Sequence, residues 1–222
     1  MGELNIPILD SLEKILSKSI GMQEVIRWEK YVKKGEARKE NSLQHTYKAS
    51  LLGCIILDNE LSYIPDIDAY LILKATVIHD LGEIATGDTV YIDKTEEKDK
   101  EERDFFQRLF STLPKSIKQD LDLAYCLQHA TDELKAKYYK EINLFEAIER
   151  FGYVVFAYRE FKENPKGKKI FVQTMRNQHE HLIRLAHELP GFGAVFYTPE
   201  VQQDVEEFLK QYEGQFIEQK GE

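Results

Sequence analysis

His79 and Asp80 stand side by side in the segment Ala75-Thr76-Val77-Ile78-His79-Asp80-Leu81-Gly82-Glu83-Ile84. On a helix, Leu71, Ile72, Ala75, Ile78 and Leu81 form an apolar face, which sets His79 and Asp80 beside a core. Glu83 follows His79 by four residues and Asp80 by three, and so shares a face with both. Three ionisable groups on one apolar helix are costly to bury unless something neutralises them. A divalent cation does so, and imidazole with carboxylate suits Mn, Fe, Co, Ni or Zn better than Mg. One such ion needs further ligands from other helices. His45, in Asn41-Ser42-Leu43-Gln44-His45-Thr46, stands near the start of an earlier helix and is one candidate. The last ligand should be a carboxylate from a later helix. Glu149 is a candidate there, in Phe145-Glu146-Ala147-Ile148-Glu149-Arg150-Phe151, and Glu146 one turn earlier is the alternative.

The elements that position these residues read as helices. Ile8, Leu12, Ile15, Leu16 and Ile20 recur at three-four spacing, and Met22, Val25, Ile26 and Tyr31 continue the pattern. A polar break at 33–40 precedes a helix from about Ser42 to Leu57, with Leu43, Tyr47, Leu51 and Ile55 four residues apart. Asp66 is a candidate N-cap for a helix running through Ile84, and residues 86–95 form a loop. Thr95 caps a charged helix to about Leu113, and Pro114 begins another. A long helix passes Ile142, Ile148 and Tyr158 and stops near Asn164-Pro165. Residues 168–188 and 198–217 give two more amphipathic helices around Pro190-Gly191-Phe192-Gly193. No strand pattern is long enough for a sheet, so the expected class is all-α, in one domain over 1–222.

Composition narrows the partners. The 222 residues carry 30 Lys+Arg against 39 Asp+Glu, a net charge of −9 that argues against coating a nucleic-acid duplex. A small phosphate ligand stays open, since one Arg and a metal ion can hold it. Arg27 suits bidentate phosphate contact, and Trp28, the one Trp, offers a flat wall to a sugar or base. No segment approaches the roughly 20 apolar residues of a membrane span, and the first residues lack the pattern of a signal peptide. Cys54 and Cys126 sit among apolar residues and are expected as buried free thiols in a reducing, cytoplasmic setting.

With these residues in order, the sequence resembles the HD-domain metal-dependent phosphohydrolases, whose pattern is H…HD…D. Here it reads His45, His79-Asp80 and a late acid, Glu149. Within that superfamily it looks most like the 5′-deoxynucleotidase branch, through Arg27-Trp28, Ser42-x-x-His45, His79-Asp80-x-x-Glu83 and Thr86-Gly87-Asp88. The likeness covers about residues 10–160 and leaves a C-terminal helical extension, about 168–222, without a counterpart. It implies a helical bundle, one divalent transition metal ion on His45, His79, Asp80 and Glu149, and release of phosphate from 5′-deoxyribonucleoside monophosphates. It further implies Glu83 as the group orienting or exchanging a proton with the attacking water, and Asp88 as its helper. Arg27 and Trp28 would bind substrate and help exclude a 2′-hydroxyl, and a homodimer is expected, with Phe192, Phe196 and Tyr197 as interface or core. Three positions depart from the pattern: Glu149 where Asp is usual, Gln44 before the first His where Glu is common, and Thr89-Val90-Tyr91-Ile92 where a Pro-containing stretch is usual. The first bears on the metal and the other two on the substrate. Two further readings follow: hydrolysis of another phosphate ester, such as a guanosine alarmone or cyclic nucleotide, or a nucleotide-binding module without turnover.

The remaining histidines read as structural or solvated. His129 follows Gln128 in a helical stretch, and His179 and His181 are two apart, facing different directions, as surface groups with His187. The run 96–103 is a solvated charged face, and Phe105, Phe106 and Phe110 are core.

Overall fold

The computed structural model describes residues 6–89 and 95–213. Helices α1 (Pro7–Ser19), α2 (Glu29–Lys33), α3 (Ser42–Glu60) and α4 (Ala69–Ile78) lead to the short α5 (Glu83–Thr86). They are followed by α6 (Glu96–Leu109), α7 (Lys115–Tyr125), α8 (Asp132–Lys137), α9 (Tyr139–Glu163), α10 (Lys168–Glu188), α11 (Pro190–Val195) and α12 (Pro199–Gln211). The fold is all-α. Among the described residues one small ladder pairs β1 (Ile26–Arg27) antiparallel to β2 (Glu40–Asn41), with Arg27 opposite Glu40. Among the described residues no helix is long and apolar enough to cross a membrane.

Local chemistry sets the helix starts. Asn41 caps α3 by accepting from the Gln44 N–H at 2.9 Å, while Gln44 Oε1 accepts from the Asn41 N–H at 3.2 Å, a reciprocal box that stabilises the first turn. Gln44 is therefore occupied in holding the turn that carries His45. The Ser42 N–H donates to the Val25 carbonyl, so β1 and the first turn of α3 are tied together. Thr95 and Thr198 cap α6 and α12, and Asp68 caps α4, two residues beyond Asp66. The helix expected to run through Ile84 ends at Ile78, passes through a 3-10 turn at His79–Gly82, and resumes as α5. Pro190-Gly191-Phe192-Gly193, read as a break, opens α11 instead, with Pro at the first position where its missing N–H costs nothing.

Two apolar clusters form the core. One gathers Ile56, Ile72, Leu144, Ile148, Leu182, Leu185, Phe192 and Tyr197 between α3, α4, α9, α10 and α11. The other gathers Leu71, Ala75, Ile78, Phe106, Phe110, Tyr125 and Phe145 between α4, α6, α7 and α9. Helices α4 and α9 serve both, and the candidate site lies where they meet α3. Phe192 and Tyr197 are thus core. His179, expected at the surface, is buried on α10 with its Nδ1 2.8 Å from Tyr197 Oη. Cys54, on the outward side of α3, is exposed, and Cys126, in the 3-10 turn after α7, is partly so; both are free thiols. Leu43, Tyr47, Leu51 and Ile55 point outward too, and of the apolar stripe of α1 only Ile15 is buried. The Val90-Tyr91-Ile92 stretch and positions 214–217 of the last expected helix lie outside the described residues.

Glu60 ties the C-terminal helices to this core. Its side chain is fully buried at the end of α3, and Oε2 accepts from the Phe192 N–H at 2.7 Å, in the first turn of α11. Burial pushes this carboxyl up, and the backbone N–H groups of Phe192 and Gly191 oppose that. Asn59 Nδ2 donates to the Gly191 carbonyl beside it. Glu60→Ala removes the acceptor and leaves a buried N–H unpaired. Thermal unfolding should show a loss of about 2 kcal/mol, roughly 4–8 °C in Tm. Glu60→Gln, which keeps an acceptor and sheds the buried charge, should lose far less; equal losses in the two variants would refute the clamp.

Candidate active site

The break at the end of α4 aims the His79 and Asp80 side chains. His79 Nδ1 lies 3.1 Å from the Thr76 carbonyl oxygen, an acceptor, so Nδ1 carries the hydrogen and Nε2 faces inward. Gln128 Nε2 donates to the His79 carbonyl at 2.8 Å, holding the turn from the 3-10 segment after α7. Gly82 is required by close approach. A Cβ there would stand 2.6 Å from Tyr125 Oη and 2.7 Å from Glu102 Cβ.

Four side chains from three places converge. His45 arrives from the first turns of α3, His79 and Asp80 from the 3-10 turn, and Glu149 from the middle of α9. Ligand-type atoms of His45, His79 and Asp80 all lie within 4.8 Å of one another. Glu149 Oε2 is 3.2 Å from His45 Nε2 and 3.5 Å from His79 Nε2, and Asp80 Oδ1 is 3.1 Å from His79 Nε2. Glu146 is turned elsewhere, bonded to Arg150 at 2.6 Å and Arg184 at 2.7 Å. The two acids that the sequence leaves as alternatives are therefore separated by their partners.

Two buried atoms of this cluster, His79 Nε2 and Glu149 Oε1, make no hydrogen bond. Polar atoms without hydrogen bonds are expensive in a protein interior, and here both belong to side chains that are strong metal donors. The donor set of two imidazoles and two carboxylates fits a divalent transition metal. The electrostatics agree. Burial opposes the charged forms, yet Asp80 and Glu149 hold His79 well above its ordinary pKa. Against the same burial, His79 and Arg27 hold Asp80 below the usual carboxylate range, and His79 with His45 do so for Glu149.

Around the cluster stand the other residues singled out. Arg27 is buried; its Nη1 donates to Asp80 Oδ2 at 2.7 Å and lies 3.8 Å from both Glu83 Oε1 and Asp88 Oδ1. Its Nε has no partner. Glu83 accepts from Ser42 Oγ at 2.7 Å, and burial together with the nearby Asp80 pushes its carboxyl up to about 8. Asp88 Oδ2 accepts from the Trp28 N–H at 2.9 Å. That bond helps hold Trp28 at φ +56, the one non-glycine residue with positive φ among those described, a strained conformation of the sort that collects at functional sites. The indole stacks on Phe156 at 5.4 Å and meets the edge of Tyr153 at 6.1 Å.

The structure thus brings His45, His79, Asp80, Glu83, Asp88, Arg27, Trp28 and Glu149 together. It adds residues that the sequence reading passed over. Tyr153 stacks on His45 with rings 6.2 Å apart and 5° from parallel, and the Arg27 guanidinium lies 5.9 Å from its ring centre. Tyr153 and Phe156 are four and seven residues beyond Glu149, the spacing that shares its face. Ser42, already part of the Ser42-x-x-His45 motif, reaches the site through its bond to Glu83.

Fold and centre together define an all-helical protein built around a buried His-His-Asp cluster able to hold a metal ion. The family model described as HD domain matches residues 22–189, and the chain belongs to that family. The match takes in α10 as well as the helices that carry the site. No curated protein sequence is similar enough to match. Among solved structures, the chain is similar to a predicted metal-dependent phosphohydrolase from Magnetospirillum magnetotacticum MS-1, with TM-score 0.60 and 15% identity over 91% of this chain and 93% of that one. It is also similar to a conserved hypothetical protein from Pyrococcus furiosus, with TM-score 0.59 and 17% identity over 87% of this chain and 98% of that one. At such identities the likeness is one of fold.

Proposed function

We propose that this chain is a divalent-metal-dependent phosphohydrolase that removes phosphate from 5′-nucleotides, with 5′-deoxyribonucleoside monophosphates as the preferred class. The observation that carries the reading is the convergence of His45, His79, Asp80 and Glu149, two of whose buried polar atoms make no hydrogen bond, beside the buried guanidinium of Arg27. Those four residues would hold the ion. When bound, it lowers the pKa of a water and polarises a phosphate oxygen.

The remaining roles belong to side chains. Arg27 has a buried Nε that makes no hydrogen bond and so could donate to a phosphate, while its Nη1 balances the charge of Asp80. Glu83, raised to about 8 and anchored by Ser42, is placed to accept a proton from the attacking water and pass it on. Asp88 positions Trp28, whose indole with Phe156 and Tyr153 makes an aromatic wall for the sugar or base. We read the chain as one domain over 1–222. The shared fold with the predicted metal-dependent phosphohydrolase of Magnetospirillum magnetotacticum MS-1 supports the reaction class. The two free thiols support a cytoplasmic setting.

The test is phosphate release from 5′-dNMPs and 5′-NMPs by protein stripped with EDTA and resupplied with Mn, Co, Zn or Mg. Metal-dependent release that favours the deoxy substrates is the expected result. Silence with metal bound would reject the nucleotide and leave another phosphate ester. Silence without metal uptake would reject the enzyme and leave a binding module.

A further inference from the structure

The net charge of −9 is unevenly spread. Segments 33–48 and 159–169 hold ten Lys and Arg against four Glu, a local balance of +6. The rest of the chain carries 20 Lys and Arg against 35 Asp and Glu. The fold brings the two basic segments together. The Arg38 N–H donates to Glu160 Oε2 at 3.0 Å, Asn164 Nδ2 donates to the Gly35 carbonyl at 3.4 Å, and the Arg38 side chain pairs with Glu163. Charges then sort by depth. Glu40 and Glu160 are buried and Glu36 is half-buried, whereas eight of the ten cations are exposed. Glu163 is the one exposed acid of the two segments. The outward field here is therefore positive on an otherwise acidic chain, and a polyanion would relieve the repulsion among the clustered cations.

Shape narrows the ligand. A cleft of about 350 Å³ between the first turns of α3 and the last turns of α9 has Lys39, Lys48, Arg159 and the 70%-exposed Tyr47 among its walls. A second, of about 460 Å³, is lined by Lys34, Lys166, Lys168 and Lys169. Both clefts draw on the same two segments. Recessed cations suit a narrow, flexible chain of phosphates better than the flat surface of a bilayer. Eight of the ten cations are Lys, point charges that meet a phosphate backbone without reading its sequence. Tyr47 adds a solvent-facing ring on which a base can stack. An acidic peptide or inorganic polyphosphate has no base to place there.

We infer that this face binds single-stranded nucleic acid, with phosphates in the two lysine-lined clefts and a base on Tyr47. Lys48 is bonded within its own chain to Glu40, yet its side chain stays half exposed and within reach of a ligand in the first cleft. The face adjoins the candidate site. The Arg159 guanidinium lies 5.2 Å from the centre of the Phe156 ring, which stacks on Trp28 from the far side of the same wall. The net charge that argues against coating a duplex is no obstacle, because a single strand needs only this one positive face.

The experiment is fluorescence anisotropy on the full chain with a 3′-labelled oligo-dT of about 12 nucleotides, a length within the usual span of such sites. Its 5′-hydroxyl end offers no phosphomonoester, so the outcome does not depend on the proposed reaction. Wild type should bind, and Kd should rise with salt at a log–log slope of about 3, the value for roughly four phosphate contacts. Lys39→Glu with Lys166→Glu, one exposed position in each cleft, should weaken binding about tenfold or more and lower the slope by about 1.4. Lys14→Glu with Lys115→Glu makes the same change of charge at exposed positions elsewhere and should bind nearly as wild type does. Tyr47→Ala should weaken the oligonucleotide about fivefold or more and leave the binding of inorganic polyphosphate unchanged. Absence of salt-dependent binding overturns the proposal, and so does equal weakening by the two double variants. Polyglutamate or phosphatidylserine vesicles that displace the oligonucleotide at a lower concentration of charge would overturn it too, giving the face to an acidic protein or a membrane.

Discussion

Asp80→Ala should abolish metal uptake and cut phosphate release by about a thousandfold or more, the scale of losing the ion's charge stabilisation. The substitution removes a carboxylate whose Oδ1 lies 3.1 Å from His79 Nε2 and whose Oδ2 accepts from Arg27 at 2.7 Å. His79→Ala should have the same effect, because it deletes an imidazole whose buried Nε2 faces Asp80 Oδ1 at 3.1 Å and Glu149 Oε2 at 3.5 Å without hydrogen-bonding either. The two variants should differ in the metal-free state. Asp80→Ala also leaves the buried Arg27 guanidinium with only Glu83 and Asp88, each 3.8 Å away, and breaking a buried pair from one side costs about 3–5 kcal/mol. His79→Ala leaves that pair whole. Metal per chain by plasma mass spectrometry, phosphate release and thermal melts without metal check all three statements. Full turnover in either variant would remove these residues from the centre. Equal destabilisation of the two metal-free proteins would deny Asp80 its part in holding Arg27.

The parts of this molecule that could be read from the sequence are those whose cause is local. α9 and α10 end where Asn164-Pro165 and Leu189-Pro190 forbid continuation, and the N-cap of α6 is a Thr before an acidic turn. The cluster was legible because burying His79 with Asp80 makes sense only if other charged groups arrive to meet them. What failed was inference from periodicity to burial. The Leu43, Tyr47, Leu51 and Ile55 spacing shows that one face is apolar, but not which face the bundle uses. A helix that must offer His45 to the site and Gly53 to α4 turns its polar and small side inward. Spacing alone also set Glu83 on one straight helix with His79, whereas the chain changes to a 3-10 turn between them, and Ser42 on α3 fixes where the carboxyl sits. The choice of Glu149 over Glu146 depended on Arg184, 38 residues from Glu146 on α10, a long-range partner that no local pattern reports. Tyr153 and Phe156 were missed because an aromatic on a long helix reads as core until the site beside it is known.

Arg27→Ala should raise KM while leaving metal affinity unchanged or higher. The arginine sits at the junction of two demands: Nη1 is spent on Asp80, and Nε is buried and unpaired. A phosphate entering beside the metal donors would meet that second edge of the guanidinium. Losing one charge-assisted contact is worth about 1.5–3 kcal/mol, hence roughly a 10–100-fold fall in kcat/KM, most of it in KM. Metal affinity moves differently, because removing a cation from beside Asp80, Glu83 and Asp88 leaves the local field more negative and more welcoming to a divalent ion. Arg27→Lys separates charge from geometry. The ammonium keeps a positive charge near Asp80 but offers no planar fork, so it should recover stability without recovering KM. Steady-state kinetics on a 5′-dNMP and metal titrations on the same preparations give the two quantities. Parallel loss of metal affinity and substrate affinity in Arg27→Ala would make the residue a support for Asp80 alone and end its assignment to phosphate.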